Sequence, residues 1–267
     1  MLKFISFGSG SDGNCYFLYT EKDGMLIDTG VGLRKLKNYF HDNHLSLEMV
    51  KRVLITHDHA DHINSVGNFS NKYNVPIYTT QLVHNGILRN YSVSDKPKKE
   101  NTKCLVKGET TTLGDFEITP FEVPHDSSDN VGYMVTCEGI SFCLMTDAGY
   151  VTEEMKSYIK EANYLVIEAN HDLSMLHDGH YSKYLKDRIS GEGGHLSNND
   201  AAQALVENAT EKLKHVWLCH LSNENNHPEL ARKTVESILR NSGIIAGVDF
   251  LLDVLPRTKP TGVFELI

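Results

Sequence analysis

Residues 57–62 read His57-Asp58-His59-Ala60-Asp61-His62. Three histidines and two aspartates within six residues make an odd surface and a costly core, because buried imidazoles and carboxylates need partners. A divalent cation supplies such partners, and imidazole with carboxylate suits zinc, manganese or iron. Two histidines one residue apart can chelate one ion, and the neighbouring Asp61-His62 pair can reach a second. The segment directly follows Arg52–Thr56, an apolar run that reads as a strand. Strand ends are where rigid backbone delivers side chains to a site.

One short segment cannot fill two coordination spheres, so further ligands must lie elsewhere. Three residues each end an apolar run: His125 after Phe121-Glu122-Val123-Pro124, Asp147 after Phe142–Thr146, and His220 after Val216–Cys219. Any one alone also fits a satisfied core or loop residue. Together they place ligands along one edge of a sheet.

The elements that must position them follow from pattern. Strands are expected at Leu2–Phe7, Cys15–Thr20, Met25–Asp28, Arg52–Thr56 and Ile77–Thr79, and helices at Leu33–Phe40, Ile63–Tyr73 and Leu82–Asn90. Phe116–Val123, Val131–Thr136 and Ser141–Thr146 read as consecutive antiparallel strands. Helices Glu153–Glu161, Lys183–Ile189, Asn198–Asn208 and Pro228–Asn241 then alternate with strands Tyr164–Ile167 and His215–Cys219. Ser92–Lys103 reads as an exposed loop, or as a basic edge that meets substrate. Meanders that give way to alternation, in both halves, imply an α/β chain with two packed sheets and helices outside, a four-layer αββα sandwich.

Composition sets bounds. The 267 residues suit one domain over 1–267. The 40% hydrophobic and 23% charged content is that of an ordinary soluble protein. No apolar stretch approaches a membrane span, and no signal peptide opens the chain, so a cytoplasmic protein without a membrane partner is expected. The five cysteines form no Cys-x-x-Cys pair and read as small buried hydrophobes. A net charge of −9 argues against bulk electrostatic binding of nucleic acid but leaves local basic clusters open.

The motif set resembles the metallo-β-lactamase superfamily, whose His-x-His-x-Asp-His signature is matched by His57, His59, Asp61 and His62. The resemblance implies that His57, His59 and His125 hold one metal, that Asp61, His62 and His220 hold another, and that Asp147 bridges them. It also implies that Asp28 braces the loop from behind. Two metals explain an activated water but not the substrate, since the superfamily cleaves lactams, thioesters and phosphodiesters. Glu168 and His195 are similar to a pair in its phosphodiesterase branch, where the Glu orients a His near the leaving group. The alternative for His195 is packing at a helix start.

A narrower resemblance, to the YycJ/WalJ family, rests on Phe7–Asn14, Glu168–Asp172, Gly194–Asn198 and His220–Asn226. It implies a bacterial cytoplasmic 5′-to-3′ DNA exonuclease acting on DNA ends, using manganese or zinc, with iron also compatible, and no obligate protein partner is inferable from it. Asp61, Glu168 and His195 would then be catalytic. Gly10, Ser11 and Asn14 would meet a phosphate through backbone N–H groups, unless their loop is simply a tight turn. His171, Ser197 and Lys183 are further substrate contacts on this reading, with Lys186 and Arg188 beside them, and a structural role is the alternative for each. His177 and His180 read as loop residues. The span from Asp147 to His220 leaves no room for a β-CASP insertion. A thioester or lactone hydrolase, a ribonuclease, and a non-enzymatic nucleic-acid-binding protein stay open as alternatives.

Overall fold

A computed structural model describes all 267 residues. The first half runs β1 (Leu2–Gly8), β2 (Cys15–Tyr19), β3 (Gly24–Ile27), α1 (Leu33–Asp42), β4 (Val50–Leu54), α2 (Ala60–Ile63), α3 (Val66–Tyr73), β5 (Ile77–Thr79), α4 (Gln81–Arg89) and β6 (Thr102–Cys104). The second runs β7 (Thr111–Leu113), β8 (Phe116–Glu122), β9 (Val131–Cys137), β10 (Ile140–Met145), α5 (Glu153–Glu161), β11 (Tyr164–Glu168), α6 (Leu173–Asp178), α7 (Lys183–Ile189), α8 (Asn198–Asn208), β12 (His215–Cys219), α9 (Pro228–Asn241), β13 (Leu251–Val254) and β14 (Phe264–Leu266). They form two seven-stranded sheets, ordered β14-β1-β2-β3-β4-β5-β6 and β13-β12-β11-β10-β9-β8-β7.

Alternation along each strand sorts side chains into three cores. On β1, Leu2 and Phe4 point between the sheets, where Phe4 meets Phe142 and Trp217 of the other sheet at 5.0 and 4.8 Å between ring centroids. Ile5 and Phe7 face the opposite way, onto Leu36 and Phe40 of α1. The outer face of the second sheet buries Leu165, Ile167 and Leu218 against Met155 of α5, Leu205 of α8 and Val235 of α9. Both sheets are thus buried on both faces, and the expected αββα order holds.

The parallel strands matter most for the site. β3 and β4 run parallel, as do β10, β11 and β12. Their registers end level, with Met145 opposite Ile167 and Glu168 opposite Cys219. Side chains just past those carboxyl ends are therefore neighbours, the usual place for a site in an α/β sheet.

The expected helix Ile63–Tyr73 is two helices, α2 and α3, broken at Asn64-Ser65. The break has a cause: Thr29 N–H bonds the His62 carbonyl and Ser65 N–H bonds the Thr29 carbonyl, which ties this turn to the end of β3. Ser92–Lys103 is more ordered than a loop. Its end forms a helical turn, Lys99–Asn101, and enters β6, while Asn101 is buried against Ser70. Lys96 is no free basic edge, since its amine bonds the Ile87 carbonyl at 3.0 Å and also that of Asn90. His177 lies in α6, not in a loop. Four cysteines are buried as expected, and Cys104 is exposed. No helix is long and apolar enough to cross a membrane.

Candidate metal centre

His57 leaves the end of β4 fully buried, with α2 carrying Asp61 and His62 one turn later. Asp28, just past β3, fixes this loop. Its carboxylate accepts the Thr56 N–H at 2.8 Å, the Thr56 hydroxyl at 2.9 Å and His62 Nδ1–H at 2.7 Å. That last bond sets the tautomer and turns His62 Nε2 inward, the usual arrangement behind a metal-binding histidine. The expected bracing role of Asp28 has this geometric basis. Asp28, Asp147 and His220 all adopt left-handed backbone, with φ of 61°, 55° and 53°. Such strain in non-glycine residues costs on the order of 1 kcal/mol each and clusters at functional sites.

Two further braces were not foreseen. Asn14 Nδ2 donates to Asp61 Oδ2 at 3.2 Å and approaches His62 Nε2 at 2.9 Å, and its backbone N–H bonds the Asp61 carbonyl at 2.7 Å. Asp58 is pinned on the outer side. Its carboxylate accepts the Ser128 N–H at 3.0 Å and hydroxyl at 2.6 Å, and its carbonyl accepts Asn90 Nδ2 at 2.7 Å. Gly86 of α4 lies so close that a Cβ there would overlap the Asp58 carboxylate. The loop with His57 and His59 is thus clamped to the loop with His125.

The predicted ligands converge. His57, His59 and His125 form one group whose candidate ligand atoms lie within 4.8 Å of one another, and Asp61, His62 and His220 form a second. Asp147 touches both, with its carboxylate 3.8 Å from His125 Nε2, 3.2 Å from His62 Nε2 and 3.3 Å from His220 Nδ1. His125 is oriented by its Nδ1–H on the Gly194 carbonyl at 3.0 Å, which leaves Nε2 facing His59. His57 Nε2 is buried with no hydrogen-bond partner. An orphaned imidazole nitrogen amid carboxylates and histidines is a donor of the kind a divalent ion takes up. The donor set fits divalent metal binding.

Electrostatics agree. Burial and its neighbour His62 hold the His57 pKa well below the ordinary value, so the ring is neutral and able to ligate. Burial opposes charge on His220, but Asp147, Asp61 and Glu168 outweigh it and raise its pKa to about 10. Cation binding must displace that proton, so affinity rises with pH.

Glu168, at the last position of β11, is fully buried and accepts four hydrogen bonds. Oε1 receives His195 Nδ1–H at 2.8 Å and His220 Nδ1–H at 2.9 Å. Oε2 receives the N–H groups of Ala148 at 2.8 Å and Leu196 at 3.2 Å. One carboxylate therefore orients His195 and a predicted metal ligand together. Burial works against a charged His195, but Glu168 and then Asp147 outweigh it and raise its pKa.

Other expected contacts divide. The Gly10–Asn14 loop is a brace, not an open cradle. Gly10 N–H bonds Asn14 Oδ1 at 2.8 Å and Gly13 N–H bonds the Gly10 carbonyl at 2.9 Å, while Ser11 lies exposed. Ser197 is 1% exposed and caps α8 in a reciprocal pair with Asp200, so it offers no face to a substrate. The spacing Ser197-Asn198-Asn199-Asp200 is itself a capping signature and carried this outcome. His171 is buried beside the site with Nδ1 unpartnered. Lys183 is exposed on α7.

Fold and site together define a metallo-β-lactamase arrangement. A family model described as "Beta-lactamase superfamily domain" matches residues 24–220. The chain is 34% identical to the exodeoxyribonuclease YycJ of Bacillus anthracis, covering 98% of each chain. It is 35% identical to the exodeoxyribonuclease WalJ of Streptococcus pneumoniae serotype 2, covering 96% of this chain and 95% of that one. In fold it matches the metallo-beta-lactamase fold protein YhfI of Bacillus subtilis, with a TM-score of 0.72 over 97% and 98% of the two chains at 17% identity. The chain belongs to the beta-lactamase superfamily and, within it, to the family of the YycJ and WalJ proteins.

Proposed function

We propose that this protein is a metal-dependent phosphodiesterase that removes nucleotides from DNA ends in the 5′-to-3′ direction. The observation that carries the reading is the Glu168–His195 pair, at 2.8 Å, set against the predicted ligand Asp147, whose carboxylate lies 3.6 Å from His195 Nδ1. A lactone or thioester hydrolase has no need of this second acid. The kinship with two exodeoxyribonucleases along nearly the whole chain supports the choice of DNA.

His57, His59 and His125 would hold one divalent ion, and Asp61, His62 and His220 another, with Asp147 between them. Manganese or zinc suits these donors, and iron does too. When bound, such ions supply a water of lowered pKa and offset the negative charge of a phosphodiester. Asp61 would also accept a hydrogen bond from the attacking water. Glu168 holds His195 by Nδ1, which leaves Nε2 to carry the donor proton in the charged ring. As the P–O bond breaks, that proton passes to the departing oxygen, a contribution of about 10²–10⁴ in rate. The chain would act as one domain without a β-CASP unit, in the cytoplasm.

The test is cleavage of 5′- and 3′-labelled DNA and RNA, single- and double-stranded, by manganese-loaded protein. Nucleotide release from the 5′ end of DNA is expected. Intact DNA and RNA would overturn the reading, and a strong preference for RNA would make the protein a ribonuclease.

A further inference from the structure

Two clefts flank the loop that carries His195, and Ser190 lines both. One, of about 400 Å³, is rimmed by Glu192, Asp200 and Glu207. Its single cation, Lys156, is already paired with Glu153 at 2.8 Å and Glu207 at 3.7 Å. The other, of about 490 Å³, lies between α6 and α7, walled by Leu173 and Leu176 and edged by Lys183 and Lys186 against a single acid, Asp187, with the Lys186 amine on the His177 carbonyl at 2.6 Å. A polyanionic strand leaving the metal centre is repelled by the first cleft and attracted by the second.

The α6–α7 cleft is bolted to the centre. The carbonyl of Ile189, the last residue of α7, accepts His195 N–H at 2.8 Å. Arg188 Nε donates to Asp126 Oδ2 at 2.6 Å, next to His125. α6 begins two residues after His171, on the segment leaving Glu168. Helical spacing puts Lys183, Lys186, Asp187 and Ser190 on the cleft face of α7, and Arg188 on the adjoining face toward Asp126. Leu173 is 49% exposed beside buried Leu176, an apolar wall open to solvent, and Lys183 is exposed.

We propose that this cleft is a nucleotide subsite, which deepens the nuclease reading and rests on it. It takes one nucleotide of the substrate strand away from the scissile bond, with the base against Leu173 and Leu176 and its phosphate at Lys183. The volume is that of a small-ligand site, and an apolar wall edged by cations matches a base and its phosphate. Such a subsite has no base-edge readout, so it grips any sequence.

Steady-state cleavage of 5′-phosphorylated single-stranded DNA by manganese-loaded protein tests this in Lys183→Ala and Leu173→Ala, with melting midpoints as the check on folding. Lys183→Ala should raise KM about tenfold and lower the slope of log KM against log salt by about 0.7, the value for one phosphate contact on a single strand. Leu173→Ala should raise KM several-fold and leave that slope unchanged. A walk of single abasic sites along the DNA should find one position that raises KM for the parent protein and no longer does so for Leu173→Ala. Parent protein that cuts DNA while both variants match it in KM and salt slope would overturn the subsite alone. Parent protein that cuts no DNA would overturn the subsite and the nuclease reading together.

Discussion

The two halves of the site are built in opposite ways. The first, around His57, His59, Asp61 and His62, is one short stretch at one strand end, braced by Asp28, Asn14 and the Asp58–Ser128 clamp. The second gathers Asp147, Glu168, His195 and His220 from separate segments around a single buried carboxylate. The first half commits the protein to binding metal. On the proposed reading the second decides what the activated water does, because there His195 is held by Glu168 beside the predicted ligands. The two meet at Asp147 and in the N-terminal loop, where Ser9 bonds the His220 N–H at 2.9 Å while Asn14 holds Asp61 and His62.

If this division is right, changes in the two halves have separable consequences. The largest effect belongs to a ligand. His62→Ala should lose bound metal in elemental analysis and lower DNA cleavage by at least about three orders of magnitude. His195→Ala should keep its metal and lower kcat by about 10²–10⁴. Loss of metal from that variant would erase the distinction between the halves. Asp58→Ala sharpens the comparison from the other side. It opens the clamp on the first half, so manganese affinity, read by titration, should fall about 10–100-fold while the pH profile of kcat keeps its shape.

Glu168→Gln gives an effect of another kind, seen as a moved limb. Glu168 raises the His195 pKa, so the protonated donor persists to higher pH in the parent protein and kcat falls as pH rises through that value. Removing the carboxylate removes the raising cause, and the basic limb of the kcat profile should move to lower pH. A basic limb that stays in place would show that His195 is not the group titrating.

The convergence of the predicted ligands was legible in the sequence because their segments follow apolar strands, and strands that end level put their next residues together. The four-layer order was legible for a related reason, since the strand runs and helical stretches come in two similar sets. What escaped depends on distant contacts. Asn14 meets Asp61 across 47 residues, Ser128 meets Asp58 across 70 and Glu168 meets His220 across 52, and no local pattern signals such pairs. The strands β6, β7, β13 and β14 are the edges of the two sheets, and their half-exposed residues leave little apolar pattern to read. Ser197 is ambiguous in sequence, since a capping serine and a substrate contact occupy the same place in the chain, and its partner Asp200 makes it the cap of α8.

The central claim is that His195, held by Glu168, delivers a proton to the leaving oxygen of a phosphodiester. The most direct measurement compares His195→Ala with the parent protein, both manganese-loaded, on an ordinary DNA linkage and on one whose bridging oxygen is replaced by sulfur, a leaving group that needs no proton. A loss of about 10² or more on the oxygen linkage, nearly abolished on the sulfur linkage, is the predicted result. An equal loss on both would contradict the assignment.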